Sequence, residues 1–162
     1  MPLENRSPYA APAAKLGDPA PRPGSPYKAV ALGVLTDFGG TFVLTIVLAF
    51  LYATTLAASG MPPAEIEQAI QSGNADSWYF WAATIGGGGC SVLGGYVCAR
   101  IARQSEYTLG AIIAAINLVL ALLLGNGDRD LGMSIVLIAA TIASVMLGAW
   151  LGKKRNRRQA AG

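Results

Sequence analysis

Residues 29–52 read AVALGVLTDFGGTFVLTIVLAFLY, a run of 24 residues in which Asp37 is the only charged side chain. A helix needs about 20 residues to cross the roughly 30 Å hydrocarbon core of a bilayer, because each residue rises 1.5 Å. A cleaved signal peptide is the competing interpretation, but its apolar region is typically only about 7–15 residues long. The run therefore predicts a retained membrane-spanning helix.

Three further apolar runs of similar length follow, at about residues 78–99, 107–125 and 131–152. Helix is favoured over strand because backbone groups in lipid must form hydrogen bonds within their own segment. The short links at 100–106 and 126–130 predict antiparallel hairpins. With 53% hydrophobic and 13% charged residues, against about 25% charged in soluble domains, the chain is predicted to be an all-α, polytopic transmembrane four-helix bundle.

The segments outside the spans divide the rest of the chain. Residues 1–27 are rich in Pro and Ala and are predicted to be a disordered tail. Residues 28–153 form the predicted transmembrane domain, and residues 154–162 a basic tail. Between the first two spans, Pro62 and Pro63 suit the first turn of a short amphipathic helix that Gly73 can close. This helix would lie on the membrane surface or cap the bundle, and a ligand lid is the alternative.

The basic residues are distributed very unevenly along the chain. Eleven of the twelve fall in the two tails and the 100–106 link, and Arg129 alone falls on the other side of the predicted spans. The positive-inside rule then predicts that both termini are cytoplasmic. The expected partners are the bilayer and its anionic head groups, and nucleic acid is not expected. The residues predicted to contact anionic lipid are Lys153, Lys154, Arg155, Arg157 and Arg158.

Asp37 is the most informative residue for function. It lies about eight residues inside the first span, or ~12 Å from its end, which is too deep for a short side chain to reach the interface. It falls on a stripe of small and polar residues with Gly33 and Thr41, so it should face the bundle. Counting residues along the other spans places Asn117 and Thr141 at the same depth. Tyr96 and Arg100 could reach this layer from the cytoplasmic side.

Two roles remain open for this layer. Asp37 could take up a proton or a cation, because burial and its neighbours govern the charge of a carboxyl group. It could instead be a hydrogen-bond clasp that stabilises the bundle. The chain has no histidine, and no second carboxylate lies at the depth of Asp37. We therefore expect no enzymatic activity, no metal site and no cofactor.

Small residues recur every four positions along the second and fourth spans. Such ridges let helices approach closely, either within one bundle or between copies. The leading functional prediction is therefore a structural or assembly component that forms a homo-oligomer, and the alternative is a small proton- or cation-coupled transporter or channel that uses Asp37. The run Gly86–Gly89 could also break the second helix. The predicted packing residues are Gly86, Gly87, Ser91, Gly94, Gly95, Ser144 and Gly148.

Two motifs carry a resemblance to other membrane proteins. The sequences TDFGGT at 36–41 and GGYVCARIAR at 94–103 resemble those of a group of uncharacterised bacterial four-span membrane proteins. This resemblance covers the first two spans and implies a bacterial inner-membrane location with no known activity. The chain is also similar to small multidrug-resistance transporters in size and in its first-span carboxylate. It departs from them in having Asp rather than Glu and in lacking their aromatic residues around the carboxylate.

Overall fold

The computed structural model of the protein describes residues 24–124 and 131–160. Within these ranges the chain forms five α-helices and no strand, which confirms the all-helical prediction. Four of them, α1, α3, α4 and α5, are long and apolar enough to cross a membrane. The predictions for residues 1–23, 125–130 and 161–162 lie outside the described residues. The helices are α1 (Pro26–Ala58), α2 (Pro63–Ser72), α3 (Trp78–Ala102), α4 (Glu106–Leu124) and α5 (Leu131–Ala160).

Two helices continue well beyond the apolar runs that predicted them. Helix α1 has 33 residues, or about 50 Å at 1.5 Å per residue. It begins with Pro26 in its first turn, where the missing N–H of proline costs no hydrogen bond. Helix α5 has 30 residues and includes residues 154–160 of the segment 154–162 that the sequence predicts as a separate basic tail. The length of an apolar run predicts how much of the chain would lie in lipid, but the helix itself can continue past that run. Helix α1 ends just before Gly60, whose φ of 83° is not a helical conformation.

The predicted short helix between the first two spans is α2. Pro63 occupies its first turn, and Gly73, with a φ of 54°, ends it in the left-handed conformation. Helix α3 then starts at Trp78, where the hydroxyl of Ser77 accepts a hydrogen bond of 3.2 Å from the amide of Phe80. The run Gly86–Gly89 is helical throughout, so α3 is not broken there.

Helix α1 packs along α3. A Cβ placed on Gly33 would lie 3.0 Å from Cys98, and one placed on Gly40 would lie 3.2 Å from the sulfur of Cys90. At one end of the bundle the amide of Gly24 donates a 3.1 Å hydrogen bond to the carbonyl of Ala102. We call this the terminal end, and the opposite end, which carries α2, the α2 end.

The terminal half of the bundle is closely packed. Ile113 of α4 and Val145 of α5 are fully buried there, and a Cβ on Gly33 would lie 2.6 Å from Ile113. Helix α3 contacts α1, α4 and α5, so it forms the centre of the bundle. The core lies between Asp37 and the terminal end. It consists of Ala29, Cys98, Ala102, Leu109, Ile113, Ala114 and Val145.

Candidate functional site: a buried carboxylate beneath a polar cavity

Asp37 points into the bundle, where it is only 4% exposed. The hydroxyl of Ser91 on α3 donates a hydrogen bond of 2.9 Å to Oδ1. The side-chain amide of Asn117 on α4 donates one of 2.5 Å to Oδ2. Three helices therefore meet at one carboxyl group, with a donor on each of its oxygens.

Neither donor carries a charge. Within the described residues, the side-chain oxygens of Asp37 accept hydrogen bonds from Ser91 and Asn117 and form no ion pair with Lys or Arg. An ionised carboxylate can only accept hydrogen bonds, so this set of donors suits the charged form. Hydrogen bonds to neutral groups leave the net charge in place, however, and a buried uncompensated charge is strongly destabilising. One bound proton or one monovalent cation would therefore neutralise the charge of this carboxylate.

Glycine positions the carboxylate against α3. A Cβ on Gly94 would lie 2.7 Å from the Cβ of Asp37 and 2.7 Å from the carbonyl oxygen of Gly33, closer than real Cβ atoms approach. The absence of a side chain at Gly94 thus allows the backbones of α1 and α3 to come together at the level of Asp37. Ser91, one turn earlier on α3, is then within hydrogen-bond reach.

A cavity of about 890 Å³ begins at Asp37 and extends toward the α2 end. Nearly half of its lining side chains are polar, whereas the core on the other side of Asp37 is apolar. Gln71 and Ser72 of α2 line the far part of it. The polar lining residues are Asp37, Thr41, Gln71, Ser72, Thr84, Ser91, Asn117, Thr141 and Ser144.

The predicted polar layer is only partly assembled around the carboxylate. Thr41 and Thr141 line the cavity, but the hydroxyl of Thr141 donates to the carbonyl of Leu137 on its own helix, at 2.9 Å. Tyr96 and Arg100 bond to each other instead of reaching Asp37, with 3.3 Å between the guanidinium nitrogen and the phenol oxygen. They belong to a separate cluster at the terminal end.

The glycine ridges are covered by helices of the same chain. Gly86 and Gly94 pack on α1, where Leu44 and Asp37 are their neighbours, and Gly87 lies beside Thr41. On the other side of α3, Gly95 lies against the backbone of Val145. Gly148 lies against the backbone of Val92, and a Cβ on Gly88 would lie 3.5 Å from the hydroxyl of Ser144. These ridges therefore hold the bundle itself together.

The basic residues of α5 have different surroundings. Lys153 lies 4.2 Å from the ring centroid of Tyr107, and Lys154 lies 5.0 Å from that of Trp150. Arg155, Arg157 and Arg158 are all exposed, and Arg155 also donates a hydrogen bond to Tyr96. Three of the five residues predicted to contact lipid, Lys153, Lys154 and Arg155, therefore contact an aromatic side chain of the protein.

Sequence reasoning assigned Ser91 to a packing ridge and missed its bond to Asp37. The available signal was depth: Ser91 lies nine residues from Arg100, about as far from the terminal end as Asp37 is from Lys28. Residues 71 and 72 of α2 could not have been placed in the cavity lining, because nothing in the sequence fixes where a loop helix packs.

Comparison with known protein families, curated proteins and solved structures finds no match to this chain.

Proposed function

We propose that the protein is a small multi-pass protein of the bacterial inner membrane that binds a proton or a monovalent cation at Asp37 and couples this binding to transport. The observation that carries the proposal is a buried carboxylate with two neutral donors, placed where a polar cavity begins. Ionisable groups within membrane spans are costly, so they commonly mark ion or substrate pathways.

The chemistry of the cavity suits a hard cation or a proton. The carboxylate supplies the charge, and the hydroxyl and amide groups beside it supply further oxygen atoms, which such cations prefer. A proton on Asp37 would neutralise the same charge without any other ligand. In both cases the incoming charge relieves the cost of the buried carboxylate, so occupancy and bundle stability are coupled.

The position of the cavity, together with the predicted orientation of the helices, predicts the side of the membrane from which ions reach Asp37. Antiparallel helices with both termini inside, as the basic residues predict, would place the terminal end at the cytoplasm and the cavity toward the exterior. Ions would then enter past α2 and reach Asp37, while the packed core around Ile113 closes the cytoplasmic side. Transport would require this core to open, which is the alternating access of small transporters.

The proposal is tested by ion flux into proteoliposomes that contain the full chain and a trapped pH or Na⁺ indicator. An imposed gradient should produce flux above that of empty liposomes, and Asp37→Asn should lower this flux at least about tenfold, because the charge that binds the ion is gone. Asp76→Asn is the matched control, since it removes an exposed carboxylate from the α2 end of the chain.

Folding must be measured in parallel by circular dichroism and gel filtration. Flux equal to wild type in a folded Asp37→Asn variant would contradict the proposal. Reduced abundance together with unchanged flux per folded molecule would assign Asp37 to the clasp role. Ser91→Ala, which keeps the charge but removes one donor, provides a second variant if Asp37→Asn does not fold.

Orientation is tested separately, by cysteine labelling with a membrane-impermeant maleimide in a Cys90→Ser/Cys98→Ala background. Glu65 in α2 and Arg158 in α5 are both exposed. Glu65→Cys should be labelled on intact bacterial cells, whereas Arg158→Cys should react only after permeabilisation. The reverse pattern would invert the assignment of the cavity to the exterior.

A structural or assembly role is the second candidate. The feature that favours this role is the set of small-residue ridges. Within the described residues, however, helices α1 and α5 of the same chain already pack against the ridges of α3. A second copy would have to pack on another face. Gly89 is the glycine of α3 left uncovered, because a Cβ there would have no atom within 4 Å other than those of its own helix backbone.

A further inference from the structure

A second polar cluster lies at the terminal end of α3, away from the cavity. The phenol oxygen of Tyr96 accepts a hydrogen bond of 3.3 Å from Arg100, one turn later on α3. It accepts another of 2.9 Å from Arg155 of α5. Two guanidinium groups from different helices therefore converge on one uncharged oxygen.

This pairing leaves two positive charges uncompensated. Within residues 24–124 and 131–160, these guanidinium groups contact Tyr96 and form no ion pair with a carboxylate. Two like charges held close together repel each other, and an anion between them would turn this repulsion into attraction. Arginine has a planar fork of N–H donors that matches the oxygens of a phosphate group.

The cluster is held by a rigid part of the bundle. Gly152 packs on Ala99, and the side-chain amide of Asn156 donates a 2.9 Å hydrogen bond to the carbonyl of Ala99. These contacts keep the last turns of α5 against α3, so Arg155 projects from a fixed helix. A fixed donor loses less conformational entropy on binding than one on a flexible tail.

Neighbouring side chains place the cluster at the level of lipid head groups. Lys153 lies over the ring of Tyr107, and Lys154 over the ring of Trp150. Aromatic rings with adjacent basic residues are typical of the membrane–water interface. We propose that Tyr96, Arg100 and Arg155 form a binding site for the phosphate group of an anionic lipid. This is a defined site, distinct from the general attraction of a basic helix to a charged surface.

The test compares two pairs of arginines with the same total charge. The full chain in neutral detergent is titrated with phosphatidylglycerol, and separately with inorganic phosphate, and binding is followed by native mass spectrometry and thermal shift. R100Q/R155Q should bind phosphatidylglycerol about tenfold more weakly than wild type, because two charge-assisted contacts are lost. R157Q/R158Q removes two exposed charges from the same helix and should remain within about threefold, as expected for diffuse electrostatics.

Equal losses in the two double variants would overturn the site. Stabilisation by inorganic phosphate with no response to phosphatidylglycerol would assign the cluster to a soluble phosphate compound instead of a lipid. Arg155 is exposed, so R155Q alone should fold and serves as the second variant, with R157Q as its control. Ion flux through the Asp37 site provides an independent check that each variant remains intact.

Discussion

Gly148→Val is expected to disrupt the bundle more than any other single substitution considered. A Cβ at this position would overlap the carbonyl oxygen of Val92 and would lie 2.9 Å from the amide nitrogen of Tyr96. Both are backbone atoms of α3, so no side chain can rotate away to make room. The helices must separate instead, and we expect a cost of about 3 kcal/mol, at the upper end of the usual range for overpacked cores, because the clash is with backbone atoms.

The measurement is reversible unfolding of the purified chain in mixed micelles, for instance by titration with SDS. Gly89→Val is the matched control, because it makes the same change in the middle of α3, where a Cβ would have no atom within 4 Å other than those of its own helix backbone. Similar unfolding curves for the two variants would show that the close approach of α3 and α5 contributes little to stability. The same variants also test whether lipid binding requires α5 to pack on α3, because this packing positions Arg155.

Asn117→Leu is expected to cost about 1–3 kcal/mol of unfolding free energy, the usual penalty for a buried polar group that has lost its partner. Asn117 donates to Oδ2 of Asp37, a residue that is only 4% exposed, so the substitution removes the protein donor of a largely buried oxygen. The carboxylate would retain Ser91 but would keep one oxygen unbonded.

A double-mutant cycle isolates this interaction. In an Asp37→Ala background the acceptor is gone, so Asn117→Leu should have a much smaller effect, and the coupling energy should be about 1–3 kcal/mol. Thr141→Val is the control. Thr141 lines the same cavity, but its hydroxyl donates to Leu137 of its own helix. Coupling between Thr141 and Asp37 as large as that of Asn117 would argue that the site acts as one cooperative network instead of a defined pair.

The two ends of the bundle have different physical roles. Glycines and small residues pack α1 and α5 closely on α3, and they fix the geometry that Asp37, Ser91 and Asn117 need. The cavity, in contrast, occupies the half where the helices leave space between them. A site at the border of a rigid region and an open one can hold a fixed ligand arrangement and still be reached from solution.

The sequence alone determined the number of long helices, because the hydrocarbon of a bilayer imposes both a length and a composition on every span. It also predicted that Asp37 and Asn117 lie at one level of the bundle, because the height of a residue along a span follows from counting residues at 1.5 Å each from the span end. The short helix α2 could also be predicted from the sequence, because proline and glycine constrain the backbone at their own positions, here at the start (Pro63) and the end (Gly73) of the helix.

Only the tertiary structure decided which residues at that depth touch. Thr141 and Ser91 both lie near the level of Asp37, yet Ser91 bonds to it and Thr141 bonds to its own helix. The difference depends on the rotation of each helix about its axis and on how closely two backbones approach. Those quantities result from packing between helices, such as Gly94 on α1 and Gly148 on α3. The sequence of any one span does not contain them.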